Sequence, residues 1–380
     1  ASGEPLQDGC RLSYTCDRMV HMNNTHTNEL LIAYGWKSIY NLNFAPYRET
    51  EYLPARIIRE GRGIYRTISP VGELLVQRSG TFINLQDLGI QVEPVIGDWC
   101  AVSLLGTGTG RIEAILPRQS VFHKPLGQQT ANDAKIAAAN IDKVAIVQDA
   151  RFDFNIRRIE RFLALCHADK IPSMLVFTKA DLLDDADAYR RRAAGRFPDH
   201  PSYFIDAISG AGIDAFMDSL EQGSSLMLIG TSGSGKSTLI NRLCNAEIVK
   251  TAPIREKDGR GRHTTTTRQM YLLPNGALIL DTPGIRMVGM HQNPGSIHDS
   301  FDDIARLAIN CKFSDCTHRG EPGCAVQKAV REGLVEQDRY FNFLRLMQEA
   351  QSREEVLQQS KQKKRAIGAI RYRLRRSARP

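Results

Sequence analysis

The chain has 380 residues, a formal net charge of +8 and 42% hydrophobic residues, which suits a soluble protein of two or three domains. No apolar run of the sequence approaches the ~20 residues of a membrane span, and residues 1–21 lack the apolar core of a signal peptide. The eight cysteines do not predict a disulfide framework, because a reducing compartment and a large core make one unnecessary. We expect a cytosolic monomer with no membrane partner, and we interpret residues 1–21 as an extension or leader before Met22.

Residues 1–54 match no motif, and we treat them as an N-terminal extension. Five short β-like runs follow between residues 55 and 118, namely ARIIRE, GIYRTIS, ELLVQRS, VIGDWCAVSLL and RIEAIL. Five short strands with intervening glycines predict a small barrel of the OB type, which binds nucleic acid on one open face. A generic small β-domain is the alternative. Trp36 and Trp99 are expected in the core rather than as base-stacking residues.

The first chemical motif lies inside a predicted α/β domain, residues 119–290, after the run RIERFLALCHADKI, whose apolar spacing predicts a surface helix. An apolar strand there ends in Thr178, Lys179, Ala180 and Asp181. This fits the N/T-K-x-D pattern of GTPases, in which the Asp carboxylate accepts from guanine N1–H and the exocyclic amine. Adenine lacks that pair of donors, so the motif favours guanine.

A second motif follows in the sequence YFIDAISGAGI. It is similar to the next GTPase motif, usually Ser-Ala-x-x-G, but here Asp206 and Ala207 occupy the first two positions. We expect these two residues beside the bound base.

A glycine loop comes next, in LMLIGTSGSGKSTLINRL, where an apolar strand meets a helix. The loop fits G-x-x-x-x-G-K-S, whose backbone N–H groups and helix N-terminus cradle phosphates. Lys236 is expected to reach the β- and γ-phosphates and Ser237 to ligate Mg²⁺. The candidate phosphate contacts are Gly230, Thr231, Ser232, Gly233, Ser234, Gly235, Lys236, Ser237 and Thr238.

Two further segments fit the parts of a GTPase that respond to the γ-phosphate. The polar stretch 254–270 predicts a switch loop, in which Thr265 or a neighbouring threonine would ligate Mg²⁺ only when the γ-phosphate is present. The apolar run ALIL then delivers Asp281 of D-x-x-G, which would hold Mg²⁺ through water. The N–H of Gly284 would sense the γ-phosphate.

The catalytic group is not where many GTPases have it. They carry Gln after D-x-x-G to orient the attacking water, but Ile285 stands here and can neither donate nor accept a proton. His263 in the switch is one candidate for that role. A backbone group or the ribosome are the others, and His263 could equally be a ribosome contact or a solvated residue. We expect slow turnover in the isolated protein.

The order of these motifs is unusual. The guanine motif and its neighbour precede the glycine loop, the switch and D-x-x-G, whereas the usual GTPase begins with the glycine loop. This order predicts a circularly permuted GTPase domain. A transporter-type ATPase is disfavoured, because the sequence has no LSGGQ-like stretch and no apolar strand ending in Asp-Glu.

A cysteine and histidine cluster follows in CKFSDCTHRGEPGC. Cys311, Cys316, His318 and Cys324 provide three thiolates and one imidazole, which suit tetrahedral Zn²⁺. Four protein ligands fill the coordination shell, so the site should be structural rather than catalytic. Beyond it, residues 361–380 hold nine Lys or Arg and no acid, which indicates either an RNA-binding tail or a solubilising one.

Residues 55–355 resemble the ribosome small-subunit-dependent GTPase A family, also called RsgA or YjeQ. The likeness rests on AANIDKVAIV, TKADLL, GTSGSGKSTLINRL, GRGRHTTTT, LILDTPGIR and the cysteine cluster. It implies a multidomain α/β protein with an N-terminal OB-like barrel, a circularly permuted P-loop GTPase domain and a C-terminal α-helical zinc domain, here residues 291–360.

The resemblance also implies a function. It implies GTP or GDP, Mg²⁺ and one structural Zn²⁺ as bound groups, and a late role in maturing the 30S subunit through its 16S rRNA, with hydrolysis stimulated by the subunit. Thr178 instead of Asn and Asp206 instead of Ser depart from the pattern. A divergent paralogue with another RNA target, an ATP-driven enzyme, and an RNA-binding protein with a weak nucleotide site remain alternatives.

Overall fold

The computed structural model describes residues 29–61, 63–124, 136–151, 155–249, 268–281, 297–298 and 300–351. Three predicted site residues lie outside these ranges: His263, Thr265 and Gly284. The basic tail 361–380 and the stretch 1–21 lie outside them as well.

The first domain is the predicted five-stranded barrel. Its strands are β1 (Leu53–Glu60), β2 (Tyr65–Ser69), β3 (Gly72–Arg78), β4 (Trp99–Gly106) and β5 (Thr109–Ile115), with helix α3 (Gly80–Asp87) between β3 and β4. The strand order is β1-β2-β3-β5-β4, and β4 pairs with β1 to close the barrel. Alternate residues such as Leu74 and Val76 fill the interior, because successive side chains of a strand point to opposite faces.

A short helical segment packs on the outside of this barrel. It comprises α1 (Glu29–Ala33), α2 (Ser38–Asn43) and a 3₁₀ turn, Ala45–Tyr47. Its Trp36 meets Trp99 of β4 edge to face, with ring centroids 4.7 Å apart. Both indoles are buried, which confirms the expectation that they belong to the core.

The second domain is built on a six-stranded sheet with helices on its faces. After a two-stranded ribbon of β6 (Val121–His123) and β7 (Ile136–Ala139), the sheet has the order β10-β9-β8-β11-β13-β12. The six strands are β8 (Lys143–Asp149), β9 (Ser173–Thr178), β10 (Ser202–Ile205), β11 (Ser225–Ile229), β12 (Gln269–Leu272) and β13 (Leu278–Asp281). All neighbours are parallel except β12 and β13, and β12 also pairs with barrel strand β1, which joins the two sheets. Gln269 of β12 falls at the end of the range predicted as a switch loop.

Within the described ranges this domain contains four α-helices: α4 (Ile156–Ala168), α5 (Ala186–Arg196), α6 (Ile213–Asp218) and α7 (Lys236–Leu243). The strands are near-continuous apolar runs because helices cover both faces of a parallel sheet. Helix α4 carries the periodicity predicted for a surface helix, with Ile159, Phe162 and Leu163 buried against the sheet.

The topology places a binding site at one edge of this sheet. The chain moves outward from β8 to β9 and β10, and then returns to place β11 on the other side of β8. Ligands of open α/β sheets bind outside the carboxyl ends of the strands at such a switch point. The glycine loop follows β11 at this position.

The third domain is helical. It contains α8 (Asp302–Ala308), α9 (Ala325–Arg331) and a helix over residues 337–351. Its core includes Phe301, Ile304, Val326, Phe343 and Leu346, all buried. Among the helices of the described ranges, none has the length and apolar character needed to cross a membrane.

Candidate nucleotide site and metal centre

The glycine loop joins β11 to α7 at the predicted place. Gly230 has φ +156°, and a Cβ there would lie 2.3 Å from the carbonyl oxygen of Val147 in β8. Gly235 has φ +83°, and its Cβ would lie 2.9 Å from Thr178 Oγ1. Glycine is required at both positions, because the loop packs directly against the ends of the neighbouring strands.

Lys236 begins α7 and folds back over the loop. Its Nζ donates to the carbonyl oxygens of Gly230 at 2.9 Å and Thr231 at 2.8 Å, and to Ser234 Oγ at 3.2 Å. Burial lowers the pKa of Lys236 to about 8, and the nearby Asp281 carboxylate opposes this shift. The loop thus holds a largely desolvated ammonium group at the N-terminus of a helix.

Asp281 ends β13 beside the loop. It lies across from Leu228 of β11 on one side and Gln269 of β12 on the other. The residue is buried, burial raises the pKa of its carboxyl group, and the Lys236 charge lowers it in part. A carboxylate and an ammonium group therefore converge where the phosphates and their metal ion are predicted.

The guanine motif follows β9 and contacts the same loop. The hydroxyl of Thr178 donates to the carbonyl oxygens of Ser234 at 2.8 Å and Gln148 at 3.1 Å. Thr178 thus ties the glycine loop to β8 and β9 in the position where Asn is commoner. Lys179 Nζ lies 3.3 Å from the Gly233 carbonyl oxygen. Asp181 is exposed on the 3₁₀ turn that Ala180 begins.

Asp206 shapes the second predicted base loop. Its carboxylate accepts from the backbone N–H groups of Ile208 at 2.8 Å and Ser209 at 3.0 Å. The bonds from Ser209 are the main reason that the pKa of Asp206 is lowered. Asp206 follows directly on Ile205, which pairs with Thr178 in the sheet, so its loop and the guanine motif share one edge.

The four predicted metal ligands come together in the helical domain. The ligand atoms of Cys311, Cys316, His318 and Cys324 all lie within 4.8 Å of one another. The sulfurs of Cys311 and Cys324 are 3.9 Å apart, and His318 Nδ1 lies 3.6 and 3.4 Å from them. A tetrahedral zinc ion with Zn–S of about 2.3 Å and Zn–N of about 2.0–2.1 Å requires S···S near ~3.8 Å and S···N near ~3.5 Å. These three distances fit this geometry, and the Cys316 sulfur lies within 4.8 Å of the other three ligand atoms.

Neighbouring groups hold the cluster in shape. The His318 carbonyl oxygen accepts from the Tyr340 hydroxyl and from Gln327 Nε2 at 3.1 Å, which fixes the histidine from behind. The Glu321 carboxylate accepts from the backbone N–H groups of Thr317 and Arg319, both at 2.8 Å. Such outer contacts orient metal ligands.

Two charged residues at the nucleotide edge, Asp149 and Arg151, were not predicted from the sequence. Asp149 ends β8 and pairs in register with Thr178 of the guanine motif. The run AIVQDAR, an apolar strand that ends in an acid, was the signal for a residue at this edge.

Comparisons with known proteins agree on one family. The family model described as RsgA GTPase matches residues 115–291. The small ribosomal subunit biogenesis GTPase RsgA of Methanosarcina acetivorans is 38% identical over 330 residues, which are 86% of this chain and 87% of that protein. RsgA 2 of Lactiplantibacillus plantarum, with the same description, is 37% identical over 84% of this chain and 89% of its own.

Solved structures give the same result for the fold. The crystal structure of YjeQ from Thermotoga maritima matches with a TM-score of 0.59 and 26% identity, over 79% of this chain and 98% of that one. YloQ, described as a circularly permuted GTPase, matches with a TM-score of 0.57 over 81% of this chain and 98% of its own, at 21% identity. The permuted motif order predicted from the sequence is thus confirmed at the level of the fold. The chain belongs to the RsgA family of GTPases.

Proposed function

We propose that this protein hydrolyses GTP and acts in the biogenesis of the small ribosomal subunit. The observation that carries the proposal is the convergence of the glycine loop, the guanine motif and Asp281 at the carboxyl edge of one sheet. The names of its relatives, which describe small-subunit biogenesis GTPases, support the biological role.

Different described residues would contact the phosphates, the Mg²⁺ ion and the base of the nucleotide. Lys236 would exchange its bonds to loop carbonyls for the β- and γ-phosphates, and Ser237 and Asp281 would hold Mg²⁺. When bound, that ion would neutralise charge that develops on the phosphates. Asp181 would accept from the guanine base, which explains a preference for GTP and GDP over adenine nucleotides. Asp206 would serve indirectly, because its own carboxylate already holds the neighbouring loop.

The switch roles remain part of the proposal. Thr265 would ligate Mg²⁺ in the GTP state, Gly284 would contact the γ-phosphate, and His263 would position the attacking water. These assignments rest on the sequence and the family resemblance alone, since the three residues lie outside the described ranges.

We further propose one structural zinc ion, held by the Cys311, Cys316, His318 and Cys324 cluster. Support comes from the closeness of the four donor atoms, which all lie within 4.8 Å of one another, and from the soft thiolate set. With all four positions supplied by protein, the ion would stabilise the helical domain and take no part in hydrolysis.

The partner would be the 30S subunit, contacted through its 16S rRNA. Five-stranded barrels of the OB type bind nucleic acids, and the basic tail would offer phosphate contacts. The protein would act as a monomer in the cytoplasm.

The test is hydrolysis of GTP with and without purified 30S subunits, with ATP as competitor. We expect slow turnover alone, strong stimulation by the subunit and no competition from ATP. Lys236→Ala should abolish GTP binding. Effective competition by ATP would favour an ATP-driven enzyme, the absence of hydrolysis would favour an RNA-binding protein, and hydrolysis without stimulation would favour another RNA target.

A further inference from the structure

Lys179 of the guanine motif has an unfavourable backbone conformation. Its backbone has φ +58°, in the left-handed region that residues other than glycine seldom occupy. Such a residue persists only where its surroundings fix it. Its Nζ lies 3.3 Å from the Gly233 carbonyl oxygen, a distance at which a hydrogen bond is weak and does little to fix the side chain.

The anchor that the structure provides is Asp149, at the end of the neighbouring strand β8. Its carboxylate accepts a hydrogen bond from Lys179 Nζ, and its side chain is only 11% exposed. The parallel register places Asp149 directly across from Thr178, so the carboxylate arrives beside Lys179 without any loop between them.

A second cation holds the carboxylate in place. The backbone N–H of Arg151 donates to Asp149 Oδ1 at 3.1 Å, while its Nε and Nη2 donate to Oδ1 and Oδ2 at 3.2 and 2.9 Å. Burial works against the charged carboxylate, but the bonds from Arg151 and Lys179 prevail, and the pKa of Asp149 is lowered. The Arg151 charge also interacts with Asp181, the predicted guanine ligand.

We propose that Asp149, steadied by Arg151, is a positioning residue that fixes Lys179 between the guanine base and the glycine loop. The end of β8 then forms an additional part of the nucleotide site, alongside the glycine loop, the guanine motif and the Asp206 loop. This inference rests on the proposed GTPase function. None of the contacts involves the γ-phosphate region, so Asp149 acts on nucleotide binding and not on the chemical step.

The test is Asp149→Asn in the full-length chain, measured with GDP and with GTP. Loss of a charge-assisted hydrogen bond should weaken both nucleotides by about ten- to a hundredfold. The KM for GTP should rise while kcat at saturation stays the same. Asp187→Asn removes an exposed carboxylate that pairs with Arg190 on α5, and it is the matched control, with affinity unchanged.

A double-mutant cycle with Lys179→Met separates positioning from general structure. If Asp149 acts through Lys179, Asp149→Asn should add little in the Lys179→Met background. Additive losses, or wild-type affinity in Asp149→Asn, would overturn the proposal. If Lys236→Ala also kept full affinity, the proposed GTPase function itself would be wrong.

Thermal melting checks that the variants fold. Should Asp149→Asn melt early, Arg151→Gln takes its place, because it removes the guanidinium that holds the Asp149 carboxylate. Affinity for both nucleotides should then fall by a smaller factor, about two- to fivefold, because Asp149 keeps its bond to Lys179. Wild-type affinity in Arg151→Gln would overturn the steadying role of Arg151.

Discussion

A buried carboxylate joins the GTPase domain to the helical domain. Glu160 of α4 is almost completely buried, and it accepts from Arg196 Nη2 of α5 at 2.7 Å and from Arg339 Nη1 of the 337–351 helix at 2.6 Å. Asn342 of the same helix donates to its second oxygen. We expect Glu160→Gln to loosen this junction without disturbing the nucleotide site at the carboxyl edge of the sheet.

The expected loss in the free energy of unfolding depends on which acidic partners the two arginines retain. Removing one partner of a buried pair costs about 3–5 kcal/mol when the other charge is left alone. Here Arg339 keeps Asp303 as a partner, and Arg196 keeps Glu336 at 3.3 Å. The amide oxygen of Gln can still accept one bond, so we expect a cost of about 2–3 kcal/mol.

Urea unfolding measures this loss of free energy. Faster amide hydrogen exchange in the 337–351 helix would show that the destabilisation lies at the junction. The control is Asp338→Asn, which breaks an ion pair with Arg157 whose side chains are 78% and 53% exposed. The control should cost less than about 1 kcal/mol. A Glu160→Gln variant that is no more destabilised than this control would show that the buried carboxylate contributes no more to stability than an exposed ion pair.

Three further outcomes are expected. Asp181→Asn should weaken GTP and relax discrimination against xanthosine nucleotides, because the amide reverses one donor–acceptor relationship; unchanged GTP affinity would disprove the guanine assignment. Cys316→Ser should lose bound zinc and destabilise residues 311–324, whereas metal analysis that finds no zinc in the wild-type protein would end that claim. GTP affinity should fall as the pH rises above about 8, by at most tenfold per pH unit. The reason is that Lys236 has a pKa of about 8 in the nucleotide-free protein and must be protonated to bind phosphate. A Kd that stays flat between about pH 7.5 and 9.5 would contradict this.

The motifs that act locally were predictable from the sequence. The glycine loop, the five barrel strands and the cysteine cluster depend on nearby residues, so their spacing carries the information. The glycines at 230 and 235, for example, are required because a Cβ would collide with Val147 or Thr178. Their spacing indicated the loop without revealing which neighbours demand it.

Contacts between distant segments were not predictable in the same way. Asp206 counted as a departure from the family pattern, yet its carboxylate accepts the two backbone N–H groups that shape its loop. Asp149 was overlooked because its role depends on the register between two strands, and a single sequence does not state which strands are neighbours.

Arg56 shows why the joining of domains escapes sequence reasoning. In the run ARIIRE an arginine reads as an exposed strand residue, yet its side chain is almost completely buried. Its guanidinium donates to the carbonyl oxygens of Tyr34 and Asn140 and to Ser225 Oγ. Tyr34 lies in the turn directly after α1, and the other two residues belong to the GTPase domain, where Ser225 begins β11. A buried cation requires such acceptors, and here they come from three separate parts of the chain. The barrel, the helical segment and the glycine-loop strand are thus fixed to one another by a residue whose importance exists only in the assembled fold.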